Sequence, residues 1–225
     1  MLRRACPVPG TKRAGPISRR VSRQAARPHG LAGRLLARLW LAETAAANDV
    51  AVELLGPVAG QRVLEIGFGP GRTLDRLAAA GAQVVGVEVS EAMLATAARR
   101  NAAAIAAGRA QLHRGDGTVL PVRGHSVDAV IGVHTVYFWP DPPATVAEIA
   151  RVLRPGGRIV FALRTADHPV PRRFDRAVYR VPTTEQAVEW LRSAGFTDVQ
   201  VHRRPQVADA VIWLTAATPS ANRRG

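Results

Sequence analysis

The sequence predicts an α/β fold: a doubly wound sheet of seven mostly parallel strands that ends in an antiparallel hairpin. Short apolar runs alternate with helix-period patterns between Arg62 and Gly195. Repeated strand–helix units of this kind fold as a parallel sheet with helices on both faces. The last two apolar runs, Val199–His202 and Ala210–Ala216, have only a loop with Pro205 between them, so they pair antiparallel. The stretch Val63-Leu64-Glu65-Ile66-Gly67-Phe68-Gly69-Pro70-Gly71-Arg72-Thr73 reads as a buried strand, a glycine turn and the start of a helix.

The chain has 225 residues and is 47% hydrophobic, enough for one α/β domain with a sizeable core. Its net charge of +14 is concentrated at the ends. Residues 1–30 hold eight basic residues and no acid, whereas residues 31–222 carry 21 Arg against 17 Asp and Glu. The folded part is therefore only mildly basic. Cys6 is the single cysteine, which excludes a disulfide framework and a cysteine metal site. The scattered histidines show no metal spacing. No apolar run reaches the ~18 residues of a membrane span. Arg19-Arg20 has no apolar segment after it, so no export signal is read and a cytoplasmic location is expected.

Residues 1–28, rich in Arg, Pro and Gly, are expected to be a disordered tail, because such a composition buries no core; an Arg-rich, acid-free transit peptide would read the same way. Residues 29–57 form a helical cap, with Leu31, Leu35, Leu39 and Ala42 on one stripe. The domain proper is expected over 58–217, with a short disordered tail over 218–225. Its first strand is Arg62–Ile66, followed by a helix from Arg72 to Ala80 that stops at Gly81. The second strand is Gln83–Val87. Ser90 caps one helix reaching about Ala107. The third strand, Ala110–His113, leads into Gly115-Asp116-Gly117. Val127–Val133 is the fourth strand and Pro143–Leu153 a helix. Pro155-Gly156-Gly157 turns the chain into a fifth strand, Arg158–Leu163. A helix from Thr183 or Thr184 to Ala194 precedes the final hairpin.

In open α/β sheets ligands bind outside the carboxyl ends of the strands, where the strand order reverses. Motifs after strands one to four therefore converge on one crevice. Glycine lets backbone approach a ligand closely, and the next helix presents free N–H groups there. Glu88 ends the second strand, where a carboxylate accepts from a ribose diol. The combination predicts a nucleoside-cofactor site. The dinucleotide fingerprint requires G-x-G-x-x-G/A, but Arg72 stands at its last place, which disfavours a nicotinamide dehydrogenase.

Glu65-Ile66-Gly67-Phe68-Gly69-Pro70-Gly71 resembles motif I, E/D-x-G-x-G-x-G, of the class I S-adenosylmethionine-dependent methyltransferases. Val87-Glu88-Val89-Ser90 and Leu153-Arg154-Pro155-Gly156-Gly157 continue the likeness in the family's order. Together they cover about residues 60–165 and resemble the methyltransferase type-11 group. Glu88 departs from that group, which more often has Asp there. The resemblance implies a Rossmann-like fold, S-adenosyl-L-methionine as cofactor, and methyl transfer by in-line displacement to O, N or C of an acceptor. It implies that Glu65 orients the methionyl ammonium and that Gly67, Gly69 and Gly71 let the backbone pass the cofactor. Glu88 would take the ribose hydroxyls, and Val89 and Met93 would pack on the adenine. Asp116 would accept from the adenine amino group, with the Gly117 backbone beside it.

The aromatic cluster His134-Thr135-Val136-Tyr137-Phe138-Trp139 follows strand four, where the class faces its acceptor. Tyr137, Phe138 and Trp139 are candidates for an apolar acceptor pocket; Phe138 and Trp139 would equally cap the core. His134 is a candidate base or a partner of the methionyl end, and with Tyr137 it makes the candidate catalytic pair. A small, apolar organic acceptor is the expected partner. One rival is nucleic-acid methylation, with the Arg tail contacting phosphate. A second is a non-catalytic cofactor-binding scaffold. Asp141-Pro142-Pro143 is not the D-P-P-Y motif of amino methylation, because Ala144 replaces the aromatic and the segment lies past the strand end.

Overall fold

A computed structural model describes residues 44–220 except 172, together with Arg19, Ser22, Gln24 and Ala26. Residues 44–55 are helical (α1). There follow β1 (Arg62–Ile66), α2 (Arg72–Ala79), β2 (Gln83–Glu88), α3 (Glu91–Arg100), α4 (Ala102–Ala106), β3 (Ala110–Arg114) and β4 (Val127–Val133). After a 3-10 turn at Val136–Phe138 come α5 (Pro142–Val152), β5 (Leu153–Arg164), α6 (Thr184–Ser193), β6 (Thr197–Arg203), α7 (Pro205–Ala208) and β7 (Val211–Ala217).

The seven strands form one sheet in the order β3-β2-β1-β4-β5-β7-β6. The first five are parallel; β7 runs antiparallel between β5 and β6, as the missing crossover helix requires. In β1 Leu64 sits between Val85 of β2 and Val130 of β4. Such central strands are buried on both faces, which explains their continuous rather than alternating apolar pattern. On one face Ile149, Leu191, Phe161 and Trp139 pack together. On the other, Leu55, Leu74, Leu77, Ala97 and Trp213 do so. The cap helix α1 belongs to the second cluster, and the Trp213 Nε1–H donates to its Ala47 carbonyl at 2.9 Å.

Local chemistry sets the element ends. Asp141 caps α5 by accepting from the Ala144 N–H at 3.0 Å, with Pro142 in the first turn. Thr183 and Gln186 form a capping box on α6.

Several expectations shift. The single helix expected after Ser90 breaks at Asn101, whose buried Nδ2 donates to Gly71 O at 3.1 Å and Ala97 O at 2.9 Å. A side chain that satisfies backbone carbonyls competes with helix continuation. The Leu153-Arg154-Pro155-Gly156-Gly157 segment is the start of β5 rather than a turn before it; Leu153 pairs Val127 before a register shift. The loop with Pro205 contains α7. Arg19, Ser22, Gln24 and Ala26 are helical, and Ser22 and Gln24 are buried, so the unstructured expectation for 1–28 does not extend to them. The rest of 1–43, including most of the expected cap, and residues 221–225 lie outside the described residues. Among the described residues no helix is long and apolar enough to cross a membrane, and no His, Cys, Asp and Glu group has the arrangement to hold a metal.

Candidate active site

The sheet order reverses at β1, whose neighbours β2 and β4 lead to opposite edges. At the carboxyl ends of these strands lies a cavity of about 380 Å³, within the size range of small-molecule sites. Its walls carry Glu65, Gly67 and Gly69 from β1 and its turn, Glu88, Val89 and Met93 from β2 and α3, and Gly115 and Asp116 after β3. His134, Phe138 and Trp139 close it after β4, and Thr44 and Asn48 of α1 close it from above. Gly71 and Gly117 do not line it.

Two buried carboxylates face this space. Glu88 accepts from the Gly69 N–H (3.0 Å) through Oε2 and from the Ser90 N–H (2.8 Å) through Oε1. It therefore ties the glycine turn to the second strand. Glu65 is buried in β1, and its Oε2 has no hydrogen-bond partner. Burial, and then the Glu88 charge, push the Glu65 carboxyl well above its ordinary pKa, opposed by a backbone hydrogen bond from Leu74. Burial likewise raises Glu88, against the pull of its backbone donors. A buried, unpartnered carboxylate oxygen beside a second carboxylate calls for a cationic ligand group. The donor set therefore fits a cofactor with an ammonium or sulfonium group and a vicinal diol. Asp116 Oδ1 accepts from both the N–H (3.0 Å) and the Oγ1–H (2.6 Å) of Thr118, which holds the loop after β3 in a tight turn.

His134 sits at the end of β4 with φ +56°, in the left-handed region. Its N–H donates to Ala162 O of β5 at 2.8 Å, which fixes that turn. Its Nδ1 lies 2.9 Å from the Tyr137 hydroxyl, and the Arg164 backbone N–H donates to that hydroxyl at 2.5 Å. The Tyr137 oxygen accepts from the Arg164 N–H, and its own proton goes to His134 Nδ1 in the tautomer that carries the imidazole proton on Nε2. Burial, with the Arg164 charge second, lowers the His134 pKa to about 4. Burial pushes the Tyr137 phenol well above its usual range. Near neutral pH both stay uncharged.

A second cavity of about 270 Å³ adjoins the first, and Thr44, His134 and Phe138 line both. Tyr137, Phe138, Phe174 and Tyr179 give it an aromatic wall: the Phe138 and Tyr179 rings are 4.9 Å apart, and Phe174 and Tyr179 4.5 Å. Arg164 and Arg173 also line it.

The structure thus separates the three aromatic candidates. Of these two cavities Phe138 lines both, Tyr137 the second and Trp139 the first; the buried Trp139 ring also packs edge-on against Phe161, 5.5 Å away. Sequence reasoning missed Thr44, Asn48, Gly115, Arg164, Phe174 and Tyr179. Arg164 ends β5, so the rule that directed attention to the ends of β1–β4 also reaches it. Phe174 and Tyr179 lie in the irregular segment 165–183, and no periodic signal marks them.

The strand order and the carboxylate-lined crevice define a nucleoside-cofactor protein of the doubly wound class. Comparison with known proteins narrows it. The methyltransferase domain family matches residues 64–161. A demethylmenaquinone methyltransferase of Clavibacter sepedonicus is 33% identical over 179 residues, 66% of this chain and 70% of that protein. An uncharacterized methyltransferase of Bacillus subtilis, YdaC, is 28% identical over 193 residues, 84% of this chain and 99% of that protein. Among solved structures, phosphoethanolamine N-methyltransferase 2 of Haemonchus contortus, in complex with S-adenosylhomocysteine, superposes with a TM-score of 0.69 at 21% identity. That likeness covers 77% of this chain and 53% of the other, and it concerns the fold. The chain belongs to the class I S-adenosylmethionine-dependent methyltransferases, in the type-11 domain group.

Proposed function

We propose that this enzyme methylates a small, largely aromatic organic acceptor seated in the second cavity, with S-adenosylmethionine in the first. One observation carries the reading: a carboxylate-lined cavity and an aromatic cavity meet at a wall shared by Thr44, His134 and Phe138. Bound S-adenosylmethionine supplies a methyl group on a positively charged sulfur, already activated for in-line displacement. The protein's work is then alignment and exclusion of water, which can contribute on the order of 7–11 kcal/mol.

Each residue has a role in this reading. Glu65 holds the methionyl ammonium through its unpartnered oxygen, and Glu88 receives the ribose hydroxyls. Val89 and Met93 pack on the adenine, and Asp116 accepts from its amino group. The glycine turn leaves room for the cofactor backbone. His134 donates from Nε2 toward a ligand at the shared wall. With a pKa of about 4 it is a poor match for general-base duty near neutral pH. Tyr137 positions His134 and does not exchange protons. The acceptor's proton therefore leaves to solvent, or is already gone from an ionised acceptor.

The experiment is a turnover assay that follows S-adenosylhomocysteine release. Small hydroxy- and amino-arenes are compared with tRNA and with no acceptor. Release above background with arenes alone is expected. Release with tRNA alone would overturn the reading in favour of nucleic-acid methylation.

A further inference from the structure

We propose that the second cavity selects an acceptor bearing a carboxylate on its aromatic ring, and that Arg164 is the residue that reads it. The proposal rests on the methyl-transfer reading above and specifies the charge of the acceptor.

The two cavities are sorted by charge. The first is lined by Glu65, Glu88 and Asp116, and the one arginine lining it among the described residues, Arg72, is already paired with Asp49 at 3.0 Å. Among the described residues no aspartate or glutamate lines the second, which instead carries Arg164 and Arg173. A cationic cofactor and an anionic acceptor are the complements of these two fields.

Arg164 is the stronger of the two anchors. It is half-buried at the end of β5, and among the described residues no carboxylate lies within ion-pair distance of it. A partly desolvated guanidinium without a counter-charge is costly, and a ligand carboxylate relieves that cost through a bidentate pair. Its backbone is pinned by the hydrogen bond to the Tyr137 hydroxyl. Its charge reaches the shared wall, where it helps hold His134 neutral. Arg173 already lies over the Phe174 ring, 5.1 Å from its centre; it adds positive potential and closes the aromatic wall. At about 270 Å³ the space suits a one- or two-ring molecule, at the small end of ligand cavities. With its carboxylate on Arg164, such a molecule turns its far edge toward His134 and the first cavity.

The test is calorimetric titration of the full chain with 2-naphthoate and 4-hydroxybenzoate, each against its uncharged carboxamide, with and without saturating S-adenosylhomocysteine. Wild type is expected to bind at least one carboxylate tenfold or more tighter than its amide. In Arg164→Gln that preference is expected to vanish while the S-adenosylhomocysteine dissociation constant stays put. The variant keeps the backbone N–H that holds Tyr137, so the wall remains built. Equal affinity for carboxylates and amides in wild type, no carboxylate binding, or a preference that survives Arg164→Gln would each overturn the proposal. Carboxylate preference in a chain that binds no S-adenosylhomocysteine would leave the anion site standing and overturn the methyl-transfer reading instead.

Discussion

Glu88 and Glu65 both face the first cavity, but their surroundings differ. Glu88 is satisfied before any ligand arrives: its two oxygens hold the Gly69 and Ser90 N–H groups. Glu88→Ala therefore removes a ligand acceptor and frees the glycine turn. S-adenosylmethionine affinity is expected to fall at least tenfold, about 1.4 kcal/mol; calorimetry checks it. Glu65 is the opposite case, a buried carboxyl with an unpartnered oxygen. Its folded-state pKa lies above its unfolded value of 4.5, so the folded state binds the extra proton. Stability from this group is then fully present below about pH 4.5 and is lost as pH rises through the raised value. Glu65→Gln should make the ligand-free protein more stable at neutral pH and flatten that pH dependence, while weakening S-adenosylmethionine binding at least tenfold. Thermal unfolding between pH 5 and 8, paired with titration, tests both halves. A variant that is less stable and binds normally would remove Glu65 from this role.

At the scale of the element, motif I shows that glycines in one motif serve different ends. Gly69 has φ +53° with open space where a Cβ would stand, and it lines the cavity. Gly71 has φ +77°, and a Cβ there would meet Asn101 Nδ2 at 2.6 Å and Ala97 Cβ at 2.7 Å. Gly69→Ala is expected to fold with a loss of only about 1–2 kcal/mol, the cost of left-handed backbone with a Cβ, and to bind S-adenosylmethionine poorly. Gly71→Ala is expected to lose more stability than that, because α3 must move. Urea unfolding of both variants separates the two reasons. This difference was not legible in the sequence, where the three glycines look equivalent. The run of βα units and the order of the motifs were legible, because they follow from periodicity and from motif spacing. The break at Asn101 was not, since it depends on a contact with a turn thirty residues away. Nor was the choice between Gly115 and Gly117: both flank Asp116, and only the path of the loop after β3 decides which faces the cavity.

At the scale of the whole molecule, described residues of the N-terminal segment touch the segment that walls the second cavity. Arg19 Nε pairs with the buried Asp175 carboxylate at 3.1 Å, and the Asp175 N–H donates to Ser22 Oγ at 2.8 Å. Asp175 belongs to the segment that carries Phe174 and Tyr179, the aromatic wall of the second cavity. Deleting residues 1–28 should loosen that wall, raise the acceptor KM more than the cofactor dissociation constant, and lower the thermal midpoint. Steady-state kinetics on the truncated chain checks this; an unchanged KM would return the segment to the role of a charged appendage. The excess positive charge near the N-terminus underlies the nucleic-acid rival; Arg19, the one of those basic residues that the structure describes, is paired with Asp175.

On this reading the carboxylate-lined cavity at the switch point binds S-adenosylmethionine. The most direct measurement is calorimetric titration of the full chain with S-adenosylmethionine and S-adenosylhomocysteine, with NADH as control. Micromolar binding of the first two and none of NADH is the expected result. Folded protein that binds neither sulfur ligand, or that binds NADH in their place, would contradict it.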